Sequence, residues 1–148
     1  MKNTETIQGP GSKMPRFSLL DVRLTGVLIE RAVRAILDFA ADGGRHYVCI
    51  FAVDSVLRCR DNARLADIAN AADMTLCDGM PLVFIGRKFA KLDMNRCYGP
   101  DVMPAVIEAG CARGVKHFFY GGDCEDTIVK LKANLQAWFP TMKIVGHY

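Results

Sequence analysis

No apolar run in this sequence is long enough to cross a bilayer. A spanning helix needs roughly 20 apolar residues. The longest run, Met80-Pro81-Leu82-Val83-Phe84-Ile85, is stopped by Gly86-Arg87-Lys88. Residues 1–16 are polar, with Gly-Pro-Gly at 9–11, and lack the apolar segment of a signal peptide. They read as a loose leader. No C-x-x-C pair occurs. Only three histidines, His46, His117 and His147, could join the six cysteines, none at ligand spacing, so no zinc site is expected. Charge of one sign is also scarce. Nineteen Lys and Arg face sixteen Asp and Glu, and a surplus of +3 does not argue for a nucleic-acid surface. It allows a modest attraction to anionic phosphates or lipid head groups. G-x-G-x-x-G, the P-loop and the nucleophile elbow are all missing, which removes the main support for a nicotinamide-dependent oxidoreductase.

What is present suits a folded enzyme-sized domain. The 148 residues are 51% hydrophobic and 24% charged, enough for one domain, residues 17–148, with a real core. Cys49, Cys59, Cys77, Cys97, Cys111 and Cys124 are scattered singly, mostly within apolar runs, as buried thiols of a reducing cytosol would be. Phe17 to Leu24 has strand character, and Ile29, Val33, Ile36, Leu37 and Ala40 recur at helical spacing. Tyr47 to Phe51 predicts a strand buried on both faces, followed by one polar helix from Asp54 or Ser55, either of which could cap it, to about Ala71. Met74 to Cys77 predicts another strand, and Pro81 the first turn of another helix. A helix over 101–113, a strand over 115–120, a helix carrying Ile128, Leu131, Leu135 and Trp138, and a strand from Lys143 complete the order. Trp138 is expected in the core, and His117 packed or hydrogen-bonded inside its strand. Strands alternating with helices predict a Rossmann-like α/β sandwich with a mainly parallel sheet and helices on both faces. In such sheets ligands lie beyond the carboxyl ends of the strands.

Three strand ends carry informative residues. Asp78-Gly79-Met80 places a carboxylate directly after a buried strand, where its pKa can be tuned for general-base work. Gly79 would allow a positive φ or a close ligand approach. The same residues also fit an ordinary strand-to-helix turn with Asp78 as the cap. Arg96-x-x-Gly99-Pro100-Asp101 offers a fork of donors suited to a diphosphate, with Gly99 open to a ligand. It equally fits a surface arginine beside a helix capped by Asp101. Gly121-Gly122, after a strand and before a helix, would free backbone N–H groups for a phosphate. Asp123-Cys124-Glu125 has the look of an acidic metal motif, but at a helix start it serves the dipole better.

Taken in order, Ala72-Asp73-Met74-Thr75-Leu76-Cys77-Asp78-Gly79-Met80-Pro81-Leu82-Val83, Arg96-Cys97-Tyr98-Gly99-Pro100-Asp101-Val102-Met103-Pro104, Phe118-Phe119-Tyr120-Gly121-Gly122 and Pro140-Thr141-Met142-Lys143-Ile144-Val145-Gly146 resemble the WecG/TagA/CpsF glycosyltransferase family. The resemblance runs from about Leu20 to Gly146. It implies transfer of an N-acetylhexosamine-type sugar, often N-acetylmannosamine or its uronic acid, from a UDP-sugar. The acceptor would be a polyprenyl-diphosphate-linked sugar at the inner face of the cell membrane, and the products bacterial surface polysaccharides such as wall teichoic acid and exopolysaccharide. The expected reaction inverts the anomeric centre without a metal or other cofactor, in a cytoplasmic, peripherally attached protein. The resemblance leaves self-association open.

By the same resemblance Asp78 matches the catalytic base, Arg96 would offset charge on the departing UDP, and Gly121 and Gly122 would lie near the nucleotide. Gly79, Gly99 and Asp101 complete the substrate-binding set, and Asp54 stands where relatives often carry His or Asp. Two departures stand out. Ala52 occupies the position of an Asn in relatives. The chain also stops at Gly146-His147-Tyr148, where relatives continue through further strands, a P-K-Q-E-like motif and often a membrane-binding tail. The expectation is a truncated member, with a remnant that only binds a nucleotide or a partner as the alternative.

Overall fold

The structure, a computed structural model, describes residues 14–121 and 124–148. It opens with strands β1 (Arg16–Leu19) and β2 (Val22–Thr25), paired antiparallel. The segment read as one strand is therefore a hairpin. Leu20 and Asp21 adopt φ of 48° and 63°, the left-handed pair that a two-residue hairpin turn requires. The turn is braced from outside: the Asn70 side-chain amide donates to the Asp21 carbonyl, and its oxygen accepts from the Arg23 N–H.

Helix α1 (Ile29–Phe39) leads to β3 (Val48–Phe51), then α2 (Val53–Arg60) and α3 (Ala63–Ala71). These two helices replace the single one expected. Asn62 ends the continuity because its side chain accepts from the Leu65 N–H and caps a new helix. Neither Asp54 nor Ser55 caps α2; Ala52 holds that position without a side-chain bond. Strand β4 (Met74–Cys77), helices α4 (Met80–Lys88) and α5 (Gly99–Cys111), strand β5 (Lys116–Phe119), helix α6 (Glu125–Trp138) and strand β6 (Lys143–His147) follow.

The main sheet has the order β1-β2-β4-β3, with β2, β4 and β3 parallel. Strands β5 and β6 pair in parallel as a separate ribbon. The expected α/β architecture with a mainly parallel sheet stands. Its central strand explains why: all four residues of β4 are buried, as a strand covered on both faces must be. Met74 and Leu76 pack with Ala32 and Ala35 of α1 and Val102 of α5. Cys77 packs on the opposite side with Val56, Ala69, Leu82 and Val83 of α2, α3 and α4. Thr75, also fully buried, is satisfied: its N–H donates to Thr25 Oγ1 at 3.0 Å and its hydroxyl to the Ala69 carbonyl at 2.9 Å.

Two expectations are corrected. β3 is the outer strand of its sheet and shows Ile50 to solvent, so it is not buried on both faces. Trp138 is 66% exposed, because α6 turns Ile128 and Leu135 inward and ends on Trp138 to one side. His117 is packed in β5, as expected, with its Nε2 buried and without a hydrogen-bond partner among the described residues.

Past the end of α1, His46 stacks on Phe39 at 4.4 Å and lies between Asp73 and Asp42, at 3.0 and 2.9 Å. The hydrogen bond to Asp73, helped by Asp42, raises its pKa. A raised folded pKa means stability that is full below the ordinary imidazole value of about 6.5 and is lost as pH climbs through the raised value. Burial lowers the pKa of His117, which has the opposite sign: its contribution is lost as pH falls. The two partly cancel in the wild type, so the difference between chains is the informative quantity. The Tm gap between wild type and His46→Gln is expected to be wider at pH 6 than at pH 8.5. A gap that widens with pH would reverse the assignment.

Candidate functional site

The carboxyl ends of β3 and β4 lie side by side. The Asp78 N–H donates to the Phe51 carbonyl at 2.7 Å, and the Cys97 N–H donates to the Cys77 carbonyl at 2.9 Å. The second bond pins the loop before α5 beside the end of β4. Asn95 holds the same loop from the other side: its side-chain oxygen accepts from the Ile29 N–H at 2.9 Å. Cys97 is buried, and burial pushes its thiol up to about 11. With its successor anchored in the core, Arg96 is left to project outward.

Its guanidinium reaches back to the strand end. Arg96 Nε donates to Asp78 Oδ1 at 3.0 Å, and the guanidinium lies 4.1 Å from the centre of the Tyr98 ring. Nε–Oδ1 is the one side-chain bond of this pair among the described residues; the other Asp78 oxygen and the two terminal Arg96 nitrogens carry none. The Asp78 side chain is 23% exposed, so it is partly buried but still reachable from solvent. Asp78 is not a helix cap. Gly79 holds that position in α4, with φ 123° and ψ 137° and no side-chain bond.

A backbone in that region is open to glycine and costs other residues about 1–3 kcal/mol. The nearest atom to a Cβ at Gly79 would be 3.8 Å away, so the cost is conformational and not steric. Gly79→Ala is expected to lower stability by about that amount, read as the urea midpoint at constant slope, and to displace Asp78 from Arg96. An unchanged midpoint would show that the chain reaches Met80 by another path.

Tyr98 caps α5 without a side-chain bond, so Asp101 is not a cap either. Asp101 sits in the first turn, where a negative charge suits the positive helix end. Gly99 starts the helix beside β3: a Cβ there would lie 3.8 Å from Ile50 Cδ1. Asp78, Gly79, Arg96 and Gly99 are thus gathered around the ends of β3 and β4, with Asp101 one turn up α5. Among the described residues no hydrogen bond or ion pair joins Asp54 to them. It lies in the first turn of α2, 67% exposed, with Arg58 3.9 Å away.

Gly121 follows the ribbon, not the main sheet. Its φ is 102°, and its N–H donates to the Tyr148 carbonyl at 2.8 Å, so the donor expected to be free is occupied. Gly122 lies outside the described residues. Glu125 and Asp126 occupy the first turn of α6, as dipole complementarity requires. Among the described residues no three His, Cys, Asp or Glu side chains are placed to hold a metal ion.

Two concave spaces among the described residues lie elsewhere. One of about 300 Å³ is bounded by the hairpin turn, α2 and α3, including Asp21, Arg60 and Asn70. One of about 270 Å³ runs along α4 from Met80 to Lys88 and so begins two residues after Asp78. The strand ends remain the candidate site, because there a carboxylate, a guanidinium and the N-termini of α4 and α5 converge. Asn95 and Tyr98 belong to it and were not singled out from the sequence. Both flank the Arg96-Cys97 pair, the one signal that could have found them.

The family model for the glycosyl transferase WecG/TagA/CpsF family matches residues 17–148.

Proposed function

The chain belongs to the WecG/TagA/CpsF glycosyltransferase family, a family of cell-surface polysaccharide biosynthesis, and from that premise we propose that it moves an N-acetylhexosamine-type sugar from a UDP-sugar to a polyprenyl-diphosphate-linked acceptor with inversion. The observation that carries the reading is the Asp78–Arg96 pair at the end of the central strand.

Arg96 holds one Asp78 oxygen and so fixes the carboxylate, leaving the second oxygen to receive a proton. In the proposed step the acceptor hydroxyl loses its proton to that oxygen while its own oxygen forms the bond to C1 of the sugar. The C1–O bond to the diphosphate breaks, and its electron pair leaves with UDP. The terminal Arg96 nitrogens and the N-terminus of α5 face the charge that develops there. Asp101, being anionic, would bind sugar hydroxyls and not phosphate. Gly79 and Gly99 let the backbone approach the substrate. Asp54 and Gly121 keep the roles that the resemblance implies, Gly121 without its N–H, which the Tyr148 carbonyl occupies.

Incubation with UDP-N-acetylmannosamine and a short-chain polyprenyl-diphosphate disaccharide, with proton NMR of the product, tests the reading. An anomeric configuration opposite to the donor's supports it, and retention would overturn it. A second reading, nucleotide binding without turnover, is favoured by Ala52, whose methyl offers nothing to a sugar beside the end of β3. Calorimetric binding of UDP with no product in the same preparation would select it.

A further inference from the structure

Helix α4 has two apolar faces. One is explained: Leu82, Val83 and Gly86 are buried against the sheet and the hairpin. The other is not. Met80 and Phe84 are 60% and 56% exposed, and Phe89, just past the helix, is 68% exposed. Met80, Phe84, Arg87 and Lys88 stand at i, i+4, i+7 and i+8, one side of a helix of 3.6 residues per turn. Together with Val83 they line the shallow space of about 270 Å³. Lys88 Nζ lies 5.2 Å from the Phe84 ring centre and 5.5 Å from that of Phe89, a cation held between two solvent-facing rings.

Charge points to the occupant. Residues 79–92 contain Arg87, Lys88 and Lys91 and no Asp or Glu. The chain's whole formal surplus of +3 therefore resides in this segment, and the rest is balanced. Two copies meeting through this face would oppose like charges. An anionic lipid surface would not: it takes the rings and the methionine among its head groups and neutralises the cations. We propose that this face of α4, continued by Phe89 and Lys91, is where the protein rests on an anionic membrane. The proposal deepens the functional reading. Met80 follows Asp78-Gly79 directly, so a bilayer along α4 would bring the site to the surface that carries a lipid-linked acceptor.

The test needs neither donor nor acceptor, so it stands or falls apart from the catalytic reading. Flotation with vesicles of 70:30 phosphatidylcholine and phosphatidylglycerol is compared with pure phosphatidylcholine. The wild type is expected to float with the first at least tenfold more than with the second, and to be released by salt. Phe84→Ser/Phe89→Ser and, separately, Lys88→Glu/Lys91→Glu should each lower the bound fraction at least tenfold. All four side chains are solvent-facing, so both variants should keep the wild-type circular dichroism and Tm. No flotation of the wild type overturns the proposal. So does flotation unchanged in both variants. Conversion of a dimer to a monomer by the Phe84→Ser/Phe89→Ser change, with vesicle binding intact, would make the face a self-interface and overturn it as well.

Discussion

Asp78→Asn is expected to lower kcat for sugar transfer by about a thousandfold, within the range of about 10²–10⁴ that a positioned general base supplies. The substitution keeps size and shape. An amide oxygen can still accept from Arg96 Nε at the position where Oδ1 now lies 3.0 Å away. What disappears is the capacity to take a proton. The ion pair is partly solvated, and such pairs contribute about 0–1 kcal/mol, so the Tm should move little. The affinity for UDP should also hold, since the proposed contact to the diphosphate comes from Arg96. The expected pattern is thus a collapse in kcat with folding and nucleotide affinity retained. Turnover within threefold of wild type would remove Asp78 from the chemistry. A parallel loss of Tm and activity would make it a structural residue.

That prediction was open to a reader of the sequence alone, for a physical reason. β4 is buried on both faces, so its four apolar or small residues run together and cannot be mistaken for a solvated segment. The Asp-Gly pair that ends it lies where a parallel sheet opens to ligands. Other parts were hidden because their cause is tertiary. Leu20 is an unfavourable residue for φ 48°, and it is held there by the cross-strand register and by Asn70 from a helix fifty residues away, within FSLLDVRL that otherwise reads as one strand. The Gly121 N–H is occupied by Tyr148, a partner that the strand-glycine-helix pattern does not encode. Asn62 is a different case. Its capping type was visible, but the polar run on either side masked the break.

The same logic locates a severely damaging single truncation. Leu76→Ala should destabilise the protein by about 3–4 kcal/mol, in the middle of the range for a buried leucine. Leu76 is fully buried, paired in register with Thr25 on one side and Ile50 on the other, and packed among the residues of α1 and α5. Neighbours held by two strands and two helices cannot close the gap, so the cavity remains and its cost adds to the lost transfer free energy. Against a typical stability of about 5–15 kcal/mol this is a large fraction. At about 2–4 °C per kcal/mol for a chain of this size, the Tm should fall by roughly 10 °C. Ile50→Ala is the internal control. It lies across the ladder on the outer strand and is 37% exposed, so it should cost about 1 kcal/mol. The urea midpoints of the two variants, at equal slope, decide the matter. Equal losses would mean that β4 is not the strand around which the two hydrophobic clusters are built. The expected inequality carries a second consequence, because Asp78 stands only two residues beyond Leu76. A cavity at that point loosens the strand end that presents the carboxylate, and kcat at 25 °C should fall in Leu76→Ala but not in Ile50→Ala, even where both remain folded.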